Sequence, residues 1–202
     1  MNQSNYRVFP FLLACFLSCW SCQDHANFTP KPRAFPRVIY PERAYQQFDE
    51  SYCDFSFTYP TYARVQQDTL FFDEKPANPC WFDLNYPDFN ARLYCTYYPI
   101  DRNNTFERLR EDTYKMANKH IVKANAIDEI PIKNTHEIGG FIFRYKGPTA
   151  TPLSFFLTDT TENYLNGALY FESRPRPDSL APVLAFIQKD IEKMISSFEW
   201  KK

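Results

Sequence analysis

Tyr164-Leu165-Asn166-Gly167-Ala168-Leu169-Tyr170-Phe171 is the stretch that decides the architecture, because it is apolar on both sides of the strand it predicts. Side chains alternate across a strand, so Tyr164, Ala168 and Tyr170 share one face while Leu165, Leu169 and Phe171 share the other. Upstream the pattern recurs: Phe141, Phe143 and Tyr145 oppose Ile142. A sheet that is apolar on both faces must be covered on both.

Working outward, Gly147-Pro148 and the polar Asp159-Thr160-Thr161-Glu162 turn separate three predicted strands, Ile138 to Lys146, Pro152 to Thr158 and Tyr164 to Ser173. Earlier candidates are Phe55-Ser56-Phe57-Thr58-Tyr59 ahead of Pro60, the short Thr69-Leu70-Phe71-Phe72, Trp81 to Tyr86 ahead of Pro87, and Ala91 to Tyr98 ahead of Pro99. Between the two strand groups, Asn104-Thr105-Phe106-Glu107 has the form of a capping box with Asn104 as the cap. Apolar residues at three- and four-residue spacing (Phe106, Leu109, Thr113, Ala117, Ile121, Ala124, Ile127) extend the predicted helix to residue 127. A last helix starts at Asp178-Ser179 with Pro182 in its first turn, burying Val183, Ile187, Ile191, Met194 and Phe198. Strands, helix, strands, helix without strict alternation predicts an α+β fold: a mainly antiparallel sheet covered by helices on both sides, an α/β/α sandwich. That layout, with its early FSFTYP strand (Phe55 to Pro60) and closing SSFEW segment (Ser196 to Trp200), is similar to the Mog1/PsbP-like fold.

The N-terminus reads as an address. Arg7 precedes the apolar run Val8 to Leu17, which is too short to span a bilayer and has the shape of a secretion signal. Ser21-Cys22-Gln23 resembles a lipoprotein processing site, so residues 1–21 are expected to be removed and Cys22 acylated, with Cys19 the alternative. Residues 22–48, with Pro30, Pro32, Pro36 and Pro41 among charged side chains, are expected to form a proline-rich tether, and residues 49–202 a single domain. Of the cysteines left, Cys53 and Cys80 are expected to pair across a loop in a disulfide-permissive compartment, leaving Cys95 a buried thiol; Cys80 with Cys95 is the competing pairing.

Composition excludes several functions. Four glycines cannot supply the Gly-rich loops that cradle dinucleotides or nucleotide phosphates. A formal net charge of -1 offers no field for nucleic acid. His25, His120 and His136 are scattered, so no metal site is expected, and no G-x-S-x-G elbow is present. Cys95 with His136 is a conceivable nucleophilic pair, while Asp83 with Asp88, Glu111 with Asp112, and Asp159 with Glu162 are better read as solvated charge. The compositional anomaly is aromatic: 20 Phe, 14 Tyr and 3 Trp. Sheet cores absorb most of these, and Tyr59, Tyr62, Tyr97 and Tyr98, with the Phe155-Phe156 run, are the candidates for an interaction surface.

PKPRAF (Pro30 to Phe35), CDFSFTYPTYA (Cys53 to Ala63), CWFDLNYPDFNARLYCTY (Cys80 to Tyr97) and EDTYKMANKHIVKANAI (Glu111 to Ile127) resemble the gliding motility lipoprotein GldD family. So do FFLTDTTENYLNGALYF (Phe155 to Phe171) and DSLAPVLAFIQKDIEKMISSFEW (Asp178 to Trp200), in the same order. The resemblance implies an accessory or assembly component of the gliding motility and type IX secretion machinery, not an enzyme, with no cofactor and no small-molecule substrate. Its partners would be other envelope proteins of that machinery, and its place a membrane of the cell envelope, facing the periplasm. Asp68-Thr69-Leu70, Asp159-Thr160-Thr161 and Asp178-Ser179-Leu180 are similar to the O-glycosylation motif of the same bacteria. The competing expectation is a periplasmic hydrolase whose site is assembled from carboxylates or His136.

Overall fold

A computed structural model of the chain describes residues 37–69 and 75–201. The signal, Cys19, Cys22, His25 and most of the proline-rich stretch lie outside the described residues, as do Leu70, Phe71 and Phe72 of one expected strand. The described part forms two antiparallel sheets and two helices. Strands β3 (Arg64–Gln67), β4 (Phe82–Tyr86), β5 (Ala91–Pro99), β6 (Ala126–Lys133), β7 (Gly139–Lys146), β8 (Leu153–Thr158) and β9 (Asn163–Phe171) build a seven-stranded sheet in the order β3-β4-β5-β9-β8-β7-β6. A second sheet takes β1 (Tyr45–Phe48), β2 (Phe55–Pro60) and β10 (Glu199–Trp200), with β2 central.

The two-faced strands meet two covers. On one face, Leu93, Cys95 and Tyr97 of β5, Leu165 and Leu169 of β9 and Phe155 of β8 pack with Val183, Ile187, Ile191 and Met194 of helix α2 (Pro177–Ser197). The small sheet joins this core through Phe55 and Phe57, which stack with Phe48, Phe82 and Phe198. On the opposite face, Leu109 and Ala117 of helix α1 (Phe106–Lys119) cover Phe143, Tyr145, Phe156 and Tyr164. The sandwich therefore has one helix on one side, and one helix plus a three-stranded sheet on the other.

Several boundaries differ from the expectation. Tyr45–Phe48, inside the stretch expected to be tether, pairs with Phe57–Pro60 and buries Phe48. Thr105, not Asn104, caps α1, accepting the Arg108 amide. That helix stops at Lys119 and passes through a 3-10 turn at His120–Val122, so Ile127 belongs to β6 and not to the helical stripe. Alternation explains the switch: Ile130 and Ile132 reach the α2-side core while Ile127 reaches the α1-side core. Pro131 sits on β6, the sheet's outer strand, which is where proline is accommodated within sheets because half of an edge strand's N–H groups face away from the ladder. Helix α2 starts at Pro177, which puts Pro182 inside it.

Candidate functional site

The four tyrosines expected to form an exposed patch do not share a surface. Tyr97 is only 6% exposed and donates to the Asn163 side-chain amide oxygen at 2.6 Å. Tyr98, on the opposite face of the same strand, packs on the α1-side core and lies edge-on to Trp81. Tyr59 packs against Phe57, and Tyr62 turns into the α2 side. Strand alternation divides Tyr97 from Tyr98, so adjacent sequence positions serve opposite cores. Phe155 and Phe156 are divided in the same way and are both buried.

Tyr62 belongs to a polar cluster that the sequence reading missed. Asp190 sits on the buried face of α2 with its side chain fully enclosed. Its carboxylate accepts from the Tyr45 hydroxyl at 3.0 Å, the Tyr62 hydroxyl at 2.5 Å and Arg43 Nε at 3.3 Å. Arg43 also donates to the Phe186 carbonyl at 3.0 Å, and its guanidinium lies 4.1 Å from the Phe186 ring centre. Burial, then the bond to Asp190, raises the Tyr62 pKa, so the hydroxyl stays a donor. Tyr86 is buried beside this cluster, and burial followed by the Asp190 charge pushes its pKa well up. These contacts clamp the Arg43–Tyr45 segment onto α2. Asp190 follows the Val183-Ile187 spacing of the buried stripe, and a charge at such a position is the one signal that pointed to a buried ion pair.

A second buried carboxylate, Asp83 on β4, takes Arg92 Nη1 of β5 at 2.9 Å. Burial, with the Asp68 charge adding and Arg92 opposing, pushes its pKa up to about 6. Arg92 also reaches Glu172 at 3.4 Å, which ties β4, β5 and the chain beyond β9.

An open groove of ≈ 820 Å³ runs along α1, lined by Tyr98, Arg108, Leu109, Thr113, Met116 and Asn166 among others. Its floor is polar but satisfied: the Thr113 hydroxyl pairs with the Tyr164 hydroxyl and the Asn166 side-chain oxygen, both at 2.9 Å. Met116 on its rim is 61% exposed.

The residues considered for catalysis do not converge on that groove. His136 lies 3.6 Å from Glu199 at the surface. Burial pushes the Cys95 thiol pKa well up, with Asp83 and Asp68 adding, the reverse of what a thiolate nucleophile requires. Burial would raise Asp159 too, but the Glu162 amide and the Asn163 side chain outweigh it and hold the carboxyl low, so it organises its own turn. Glu111 and Asp112 both pair with Lys115. His120 closes α1 with its ring 4.7 Å from that of Tyr145, and burial lowers its pKa. Among the described residues no three His, Cys, Asp or Glu side chains gather as a metal site would require. Cys53 and Cys80 form a disulfide with Cα atoms 5.3 Å apart, and Cys95 is free and buried. No described helix is long and apolar enough to cross a membrane.

Fold and site together define an antiparallel α+β domain whose buried charges brace its own elements and which carries an open groove along α1. The chain belongs to the gliding motility lipoprotein GldD family, whose model matches residues 25–200. A search of the curated proteins found no match. Among solved structures, the chain is similar to the PsbP protein (CyanoP) of Synechocystis sp. PCC 6803, at 11% identity, covering 79% of this chain and 94% of that one with a TM-score of 0.45.

Proposed function

We propose that the chain is a lipid-anchored accessory or assembly component of the gliding motility and type IX protein secretion machinery, acting through protein–protein contacts. Its membership of the gliding motility lipoprotein family, over residues 25–200, carries this reading. The anchor is an acyl group on Cys22, or on Cys19 if processing occurs three residues earlier, and the domain faces the periplasm. Envelope proteins of the same machinery are the partners, and the α1 groove with Met116 on its rim is where we place the contact. An open, non-enclosed recess with satisfied polar groups suits a protein surface better than a small molecule, which is normally enclosed over most of its area.

The test is genetic and graded. Removing the coding sequence in the native host should abolish surface spreading and outer-membrane protein export. Cys22→Ser should give the same defect with the protein released from the membrane fraction, and Met116→Glu should impair both processes at unchanged protein level. Normal spreading and export in the deletion strain would remove the proposal.

A further inference from the structure

Where α1 ends, the chain turns through Lys119-His120-Ile121-Val122-Lys123 and leaves two consecutive aliphatic side chains in water, Ile121 at 56% and Val122 at 87% exposure. Single exposed aliphatics are ordinary, but two in a row at the tip of a turn, bracketed by lysines, are a recognisable chemistry. The turn is held firmly. The Lys123 and Ala124 amides donate to the His120 carbonyl at 3.0 and 2.8 Å, and the Asn125 amide donates to the Lys146 carbonyl at 2.7 Å. Gly147 lets the neighbouring loop approach closely: at φ +116, an added Cβ would lie 3.1 Å from both the Lys123 carbonyl oxygen and the Asn125 amide.

The corner also keeps its positive charge. Asp112 and Asp128, the acidic residues on either side in the sequence, are engaged by Lys115 at 3.7 Å and Lys146 at 2.8 Å. Neither Lys119 nor Lys123 has an ion-pair partner among the described residues. Shape then separates the occupants. Protein interfaces are enriched in aromatic and Arg anchors and depleted in Lys, whereas this tip offers two aliphatic side chains between two lysines, with Ile121 and Val122 outside the lining of the α1 groove. A fluid headgroup layer yields to a projection, takes aliphatic side chains to the acyl boundary and offers phosphates to the lysines.

We infer that the Lys119–Lys123 turn is a membrane-contact corner that seats Ile121 and Val122 in an anionic phospholipid surface. The geometry of anchoring permits it, provided that Cys22 carries the acyl group proposed above. Fourteen residues separate Cys22 from Arg37. An extended proline-rich path of that length reaches roughly 40 Å, about the diameter expected of a domain this size. A chain of that length leaves the domain a choice among the faces within its reach, and the corner selects which one meets the membrane. Seated on it, the domain holds the adjoining α1 groove beside the bilayer, where other envelope proteins are met.

The experiment adds the full mature chain carrying Val122→Trp to vesicles of brominated phosphatidylcholine with or without phosphatidylglycerol. Fluorescence is compared with the unsubstituted chain, whose native tryptophans supply the background. We expect extra bromolipid quenching from the indole introduced by Val122→Trp only when phosphatidylglycerol is present. Lys119→Glu with Lys123→Glu should lower the equilibrium constant for seating by about 25-fold or more, at roughly fivefold per basic residue, with unchanged circular dichroism. Flotation of vesicles of phosphatidylcholine alone, on which the corner should not seat, reports the anchor separately. A chain that floats without extra quenching from that indole overturns the corner and keeps the anchor, and a quenched chain that fails to float does the reverse. A photo-crosslinking residue in place of Val122 in the native envelope that captures protein instead of lipid also overturns the inference.

Discussion

Replacing Asp190 by Ala should release the segment before β2 from the body of the domain. The carboxylate is wholly enclosed and takes two tyrosine hydroxyls and one guanidinium. A hydrogen bond to a charged group contributes about 1.5–3 kcal/mol, and the short one from Tyr62 belongs at the upper end. Arg43 is about a third exposed, so its ion pair is screened and adds under about 1 kcal/mol. The substitution also removes the acceptor of the half-buried Tyr45 and Tyr62 hydroxyls. The expected loss is about 3–5 kcal/mol, in line with removal of one partner from a buried ion pair. Arg43→Met leaves the enclosed carboxylate with no counter-charge and should cost about 3 kcal/mol or more, and Tyr62→Phe about 2 kcal/mol. A double-mutant cycle of Asp190→Ala with Tyr62→Phe should show coupling of about 2 kcal/mol. Urea denaturation measures the totals, and hydrogen exchange should show residues 43–48 deprotected before the seven-stranded sheet. A loss below about 1 kcal/mol for Asp190→Ala, or unchanged exchange at β1, would refute the assignment of this cluster as the clamp.

Asp83 provides a pH test with a definite sign. Its carboxyl is raised from 3.8 to about 6, so the folded chain binds this proton more tightly than the unfolded chain. Stability from this group is gained as pH falls from about 6 towards 4 and lost as pH rises through 6. Asp83→Asn should flatten that part of the profile, visible as a smaller difference between urea midpoints at about pH 4 and about pH 7; an unchanged difference sinks it. Gly140→Ala places a Cβ 1.9 Å from the Phe156 carbonyl oxygen at φ +156, so a loss of roughly 2–4 kcal/mol in thermal or chemical unfolding is expected. Replacing Cys53 and Cys80 by Ser opens a loop of 27-residue separation and should cost about 3–4 kcal/mol on the chain-entropy account. A near-neutral result would mean that the unfolded chain is already compact there.

The sheet was legible because its strands are apolar on both faces, a pattern that admits few solutions. Predicted strands at Phe55, Ala91, Ile138, Pro152 and Tyr164 start within a residue or so of β2, β5, β7, β8 and β9. Strands whose side chains are half polar were illegible. Tyr45-Gln46-Gln47-Phe48 and Arg64-Val65-Gln66-Gln67 lack a local signal and become strands only because β2 and β4 offer them unpaired edges. Ala124 and Ile127 continue the helical spacing and so extend the expected helix to Ile127, whereas pairing with Tyr145 on β7 claims Ile127 for the sheet. Exposure was the hardest property to read. A tyrosine stripe looks alike whether its rings reach water or a core, and Tyr97 and Tyr98 went to opposite cores.

What the sequence by itself determined was the period and apolar content of the main strands and helices, hence the fold class. It also carried a continuous resemblance that the family match bears out over residues 25–200. These are local or collinear properties, readable without knowing which segments touch. Only the tertiary structure decided that Arg43, Tyr45 and Tyr62 converge on Asp190, that a second sheet shares the α2 side, and that Ile121 and Val122 stand in solvent. Each joins residues far apart in the chain or compares burial between them. Such facts depend on which surfaces pack against one another, and no spacing along the sequence encodes that.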